Sequence, residues 1–538
     1  MGAFSAPSRW CGAWRARVLS ALPLVVVLVA LLGEDALLVI ATTNTPTLHE
    51  CDPAILSASS FSPSPATPLS PSRYQRAEGA CWSRAELPCY AGARGTPERS
   101  PALKRKIHAY HEYLRACSSR ETVEAVKAKL LAGNATDCRY LFWHMKLGDG
   151  QGNQYISFIS SFVYALLTNR IFLLYTDMGP GKVMCAPFEG MGERWHLFNG
   201  SMKSVDLYLS SVVARKGMQF FPERLDVLVN GTSGTNGTMP APTIANIPIY
   251  HNTPNTSLFF CESEQAFLAT IPSLILLSNQ YFLPALLHVP SFRRHLNDLF
   301  PSGRIFQTVS QLIMFPKNSI WAAVTENIRA RALPAAARIG LQFRHASELA
   351  MRHAVMCITR LQQHPVLVEA RAKSAGAGGA GVAGEVAAGD GGAPGGIESG
   401  GDAAGGGGTG GGGAVGVVTG GAGVEAGSAG NGGEGRGLMD GLGGLSGGTV
   451  VGSDVILTSP ASTFGYLLSS LFGRPSFFVA ASCQQMPLEP CFQHPPHGFK
   501  CPSGEVIGEA DSFNRSDPNL PFERCPDNVN GLSLIVGH

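Results

Sequence analysis

The sequence predicts an α/β chain made of two αβ units, one over 139–335 and a second from Arg338 onward. Three segments carry that prediction. An apolar run at 139–145 enters a glycine-rich turn and then a helical pattern; a short apolar strand closes on Arg344; and a strand at 455–458 passes into hydroxyl residues and an apolar helix reaching about Leu471. At 538 residues the chain exceeds one core, because single domains usually run to about 100–200 residues. Its 41 basic and 39 acidic residues leave a net charge of +2, which argues against a general nucleic-acid binder needing a basic stripe.

Taken from the N-terminus, residues 1–17 form a basic tail with Arg9, Arg15 and Arg17, followed by an apolar run from Val18 to Leu32 that reaches Ala41 if extended. A spanning helix needs about 20 apolar residues, so a cleaved signal peptide and an uncleaved signal-anchor over 18–41 are both open. Either places the rest of the chain on the lumenal side, because basic residues stay cytosolic. Sequons at Asn134, Asn199, Asn230, Asn236, Asn255 and Asn514 agree with that side. So do the 12 cysteines that follow Cys11, an even number suited to disulfides. Zinc is disfavoured: neither Cys81 with Cys89 nor Cys491 with Cys501 has CxxC spacing. Residues 42–80, rich in Pro and Ser, read as an extended stem. Lys104–Leu131 reads as a pair of surface helices.

The first chemical segment begins with Arg139–Met145, an apolar and aromatic run typical of a buried strand. The turn Gly148–Gln154 and the apolar helix Tyr155–Leu167 follow, and then a strand at Ile171–Tyr175. Glycines at a helix start allow backbone amides to approach a phosphate or sugar. The dinucleotide pattern GxGxxG fails at Asn153, which disfavours NAD. A tight turn without a ligand is the plain alternative.

In the second segment, Arg338–Arg344, a guanidinium at the C-terminal end of a strand suits a diphosphate and the charge of a departing nucleotide. Alone it fits a structural salt bridge equally well. In the third, Ser459, Ser462 and Thr463 lead into a helix whose unpaired amides could hold an anion, although many hydroxyl caps bind nothing. Between the last two segments, 374–449 is almost pure Gly, Ala and Val, and is expected to be a disordered low-complexity insertion.

Read together, "CRYLFWHMKLGDGQGNQ", "FVYALLTNRIFLLY", "MCAPFEG", "SNQYFLPALLHVPSFRRHLNDLFP", "RIGLQFR", "VILTSPASTFGYLLSSLFGRPSFFV" and "MPLEPCFQHPP" resemble the plant xyloglucan fucosyltransferase family, in order from about Cys138 to the end of the chain. The resemblance implies two Rossmann-like domains facing a cleft, the B-type glycosyltransferase architecture. These would be an N-terminal domain over 81–335 on the acceptor side and a C-terminal domain over 336–538 on the donor side. It implies an inverting transfer of L-fucose from GDP-fucose to a 2-hydroxyl of galactose or arabinose, on xyloglucan or arabinogalactan glycans. The enzyme would be a single-pass type II protein of the Golgi membrane and would need neither cofactor nor metal.

By the same resemblance Arg344 holds the pyrophosphate, and Ser462, Thr463 and Phe464 line the GDP site. Gly152 and Asn153 approach the donor from the other domain, and Cys491 and Cys501 are structural half-cystines. No catalytic base is singled out.

Three departures from the family pattern stand out. Gln154 occupies a usual arginine position, Asn279-Gln280 replaces an Asp-Asn pair, and the glycine-rich tract stands where further strand–helix units are expected. A second domain missing inner strands would leave ladder groups unpaired, and the alternative is a catalytically impaired glycan- or nucleotide-binding relative.

Overall fold

The computed structural model describes residues 28–29, 38–40, 81–91, 99–198 (except 133, 146–149, 177–178, 189–190 and 192–194), 244–330 (except 251–253), 337–343, 348–368, 415–421, 453–507 (except 461 and 497) and 522–534 (except 527). Two parallel sheets organise them. The first contains β1 (Tyr140–His144), β2 (Ile171–Thr176), β3 (His196–Phe198), β4 (Ile244–Ile249) and β5 (Ser273–Ser278) in the order β3-β2-β1-β5-β4. Every pairing in it is parallel. Strand order reverses beside β1, the kind of place where open α/β sheets bind ligands.

The sheet's strands are continuous apolar runs because helices cover both faces. Helix α1 (Pro101–Ser118) starts under a Ser100 cap that accepts the Leu103 amide at 3.0 Å. Helix α2 (Gln151–Leu167) joins β1 to β2 and is buried along nearly all its length, as an apolar sequence on every side requires. Helix α3 (Ile305–Ile313) is likewise almost fully buried.

The second sheet is built on β6 (Ala337–Phe343), β7 (Val415–Gly421), β8 (Val455–Thr458) and β9 (Ser476–Phe478), in the order β7-β6-β8-β9 and all parallel. Helix α4 (Glu348–Leu361) follows β6, and α5 (Thr463–Phe472) joins β8 to β9. Left-handed Gly473, at φ 59°, ends α5, a conformation that favours glycine.

Strand β7 corrects an expectation. It lies inside the glycine-rich tract, which was expected to be without structure, and it pairs along the full length of β6. Val415, Val417, Val418 and Thr419 supply the β-branched residues, and a strand edge needs only backbone groups to be satisfied. Of the expected membrane segment 18–41, the described residues are Leu28–Val29 and Leu38–Ile40. These short antiparallel strands extend the second sheet beyond β7. No helix among the described residues is long and apolar enough to cross a membrane. The expected stem, 42–80, lies outside the described residues.

The core of the first unit does not stop at its own residues. Tyr466, Leu467, Leu468, Leu471 and Phe472 of α5 pack into it, as do Phe492, Phe522, Leu532 and Leu534 from the end of the chain. A smaller core on the second sheet gathers Ile339, Leu341, Val455, Leu457, Phe477 and Cys357. Disulfides join Cys81 to Cys185, Cys117 to Cys138, Cys261 to Cys501, Cys357 to Cys483 and Cys491 to Cys525. Cys491 and Cys501 are thus half-cystines, as expected, each with a distant partner.

Candidate functional site

The two βα junctions singled out in the sequence meet in space. Helix α2 begins after Gly150, whose extended backbone provides no side-chain cap. The first bond of the helix is Gln154 N–H to the Gly150 carbonyl at 3.2 Å, and no acid stands in its first turn. Helix α5 begins after Ser462, whose Oγ accepts the Gly465 amide at 3.2 Å, again with no acid in the first turn. A β-carbon on Gly152 would lie 2.5 Å from the Phe464 amide nitrogen and 2.8 Å from the Thr463 carbonyl carbon, and would run into Thr463 Oγ1. Gly152 is therefore the residue that lets the two helix starts touch. Each start carries a partial positive charge of roughly half a unit, so their meeting is a position that favours an anion.

Asn153, Thr463 and Phe464 are half-buried at this junction, whereas Ser462 is buried. The Thr463 hydroxyl has no hydrogen-bond partner among the described residues. Ser462 behaves differently: its Oγ donates to Gln342 Oε1 at 2.8 Å while accepting the Gly465 amide. Strand β6 runs beside β8 with Gln342 in register with Thr458, so the strand that leads into Arg344 ends at the edge where the 459–462 turn begins. Arg344 itself lies outside the described residues, as do Gly148 and Asp149.

The structure thus brings together Gly152, Thr463 and Phe464, and places Ser462 behind them. Asn279 and Gln280 follow β5 at the same C-terminal edge of the first sheet as the β1 turn. They are fixed by the Gln280 Nε2 donation to Asn279 Oδ1 at 2.9 Å and the Gln280 amide donation to Ser278 Oγ at 3.1 Å. Gln154, the other departure from the family pattern, is buried.

Two buried polar residues escaped the sequence reading. Gln342 was read only as part of a strand, and Glu489 only as part of the "MPLEPC" motif. Glu489 receives the Tyr281 hydroxyl and also the Phe306 amide, at 2.9 Å and 3.1 Å to its two oxygens. Burial pushes its carboxyl up to about 8, against the opposing effect of those donors. Burial, and then the neighbouring Glu489, holds the Tyr281 phenol well above its ordinary value. A polar residue inside an apolar stretch was the available signal for both, since such a group must find partners.

The family described as xyloglucan fucosyltransferase matches residues 69–389. A galactoside 2-alpha-L-fucosyltransferase of Pisum sativum is 28% identical over 284 residues, covering 50% of this chain and 46% of that protein. A probable fucosyltransferase 9 of Arabidopsis thaliana is 31% identical over 216 residues, covering 40% and 43%. The chain spans about half the length of the curated relatives it matches. Among solved structures, a FUT1 variant of Arabidopsis thaliana in complex with GDP superposes with a TM-score of 0.58 at 21% identity, over 85% of this chain and 97% of that one. That likeness shows the fold: an α/β architecture of two parallel sheets.

Proposed function

The chain belongs to the xyloglucan fucosyltransferase family, and from that premise we propose that it is an inverting fucosyltransferase. In this reading it moves L-fucose from GDP-fucose to a 2-hydroxyl of galactose or arabinose on xyloglucan or arabinogalactan glycans. The observation that carries the reading is the contact of two helix starts at Gly152 and Thr463, neither with an acid in its first turn. A diphosphate there takes hydrogen bonds from uncapped amides, and Arg344, next in sequence after β6, is the guanidinium this reading assigns to it. The solved relative with GDP and the pea enzyme named for galactoside 2-fucosylation support the same reading.

The reaction is an in-line displacement in which the acceptor hydroxyl forms the new C–O bond as the bond to GDP breaks. Negative charge grows on the leaving diphosphate, so preorganised donors lower the barrier by binding the transition state more tightly than the substrate. In this reading helix amides and Arg344 meet that charge, and the reaction uses no metal.

We further propose a single-pass type II placement in the Golgi membrane, with the catalytic part lumenal; it requires 18–41 to span as a helix in place of the strand pairing of Leu28–Val29 and Leu38–Ile40. The basic tail before the apolar run, the sequons and five disulfides among the described residues support it.

Calorimetric titration of the full chain with GDP tests the site: binding is expected, and Arg344→Ala weakens it about tenfold or more. Incubation with GDP-fucose and galactosylated xyloglucan or an arabinogalactan tests the activity, with fucosylated product expected. Binding without product would instead identify the impaired relative, and no binding would remove both readings.

A further inference from the structure

Two buried hydroxyls converge on one acceptor at the edge of the second sheet. Thr458 Oγ1 donates to Gln342 Oε1 at 2.6 Å, and Ser462 Oγ donates to the same oxygen at 2.8 Å. All three residues are buried. An amide oxygen has two lone pairs, so these donors saturate it, and neither hydroxyl keeps a hydrogen for a ligand. The Ser462 oxygen goes on to accept the Gly465 amide, which carries the chain of bonds into the first turn of α5. The main chain makes a parallel link, the Ser459 amide donating to the Gln342 carbonyl at 3.1 Å. Thr458 also supports the helix directly: a β-carbon on Gly465 would strike its Oγ1 and lie 2.8 Å from its Cγ2.

These links hold Ser459, Ser462 and the leading amides of α5 against Gln342, two residues before Arg344 in the sequence. A helix start and a strand tip from separate parts of the sequence are thereby tied to one another by the Gln342 side chain, beside the main-chain link. We propose that Gln342 is the positioning residue of the donor site, setting Thr463 and Phe464 at the start of α5 against the end of β6 so that they reach the diphosphate. Ser462 then belongs to the support of the site and does not touch the nucleotide. The proposal rests on the GDP-fucose reading above.

The test compares the full chain with Gln342→Leu, Thr458→Val, Thr458→Ser and the Gln342→Leu/Thr458→Val double variant. GDP is titrated by calorimetry, and KM and kcat are measured separately for GDP-fucose and for the acceptor. Thr458→Val is expected to weaken GDP and raise the GDP-fucose KM about tenfold, with the acceptor KM unchanged. Thr458→Ser, which keeps the hydroxyl, restores both. The double variant is no weaker than Gln342→Leu alone, since the two side chains act through one bond. Should Gln342→Leu fail to fold, the Val and Ser variants of Thr458 decide by themselves. GDP binding unchanged in Thr458→Val while its melting temperature falls makes the network purely structural and overturns the proposal alone. An unmutated chain that binds no GDP overturns the donor reading, and this proposal with it.

Discussion

Helices α3 and α5 both start inside the molecule, and the chain completes them in opposite ways. At α3 the protein brings its own acid: Glu489, 183 residues from Phe306, places a carboxyl on that amide and takes the Tyr281 hydroxyl as well. At α5 the cap is the neutral hydroxyl of Ser462, and the facing start of α2 has only Gly150. Among the described residues no carboxylate bonds to either of these two starts. In the proposed reading the difference separates scaffold from site: a helix start that needs only to be stable is closed by a group from the chain, whereas the pair at Gly152 and Thr463 is left for an anion from outside.

The largest effect in this comparison should come from forcing the open pair apart. Gly152→Val puts atoms where the Thr463 and Phe464 backbone stands, so one helix must move. Overpacking of this kind costs about 1–3 kcal/mol, and the expected result is a lower melting temperature together with loss of GDP binding. Stability lost with GDP affinity intact would show that the contact of helix starts is not the anion site.

The second effect is a pH dependence confined to the closed start. The Glu489 carboxyl is raised from 4.5 to about 8, so the native state keeps a proton over that interval while the unfolded chain has released it. Its contribution to stability is complete below 4.5 and declines as pH rises through about 8. Glu489→Gln should flatten the fall in melting temperature between about pH 5 and pH 8. The Ser462 cap of α5 is neutral and adds no such slope. Parallel pH profiles for the two proteins would dissolve the distinction.

Smaller still is the cost of removing the neutral cap. Ser462→Ala should destabilise by about 1 kcal/mol, the usual value for a lost N-cap, read by denaturant unfolding. The smallest expected effect is none: a chelator should leave fucosyl transfer unchanged if helix amides and Arg344 meet the diphosphate charge. Activity restored by a divalent cation after chelation would remove the metal-free reading.

Much of the fold was legible from local pattern. The strand at Val455–Thr458, the helix beginning at Thr463 and the strand inside Arg139–Met145 all stand where apolar runs and hydroxyl caps put them. Such signals depend on neighbours along the chain and survive without tertiary information. Strand β7 was not legible, because three valines among glycines carry no period, and only β6 alongside gives their backbone a ladder to complete. The site was legible in its residue types and not in its roles. Ser462 looks like Thr463 in sequence, yet one hydroxyl is bonded to Gln342 and the other has no partner among the described residues.

By itself, then, the sequence determined two βα junctions with a glycine-rich or hydroxyl-rich start, an arginine after the strand between them, and a cysteine set suited to an oxidising compartment. Tertiary structure alone decided that Gly152 faces Thr463, that Gln342 receives two hydroxyls, that Glu489 meets Tyr281 across 208 residues, and which cysteines pair. The reason is physical. Local preferences come from a residue's own backbone and its near neighbours, whereas a buried donor, a lone pair or a missing β-carbon acquires meaning only when packing brings its counterpart within reach.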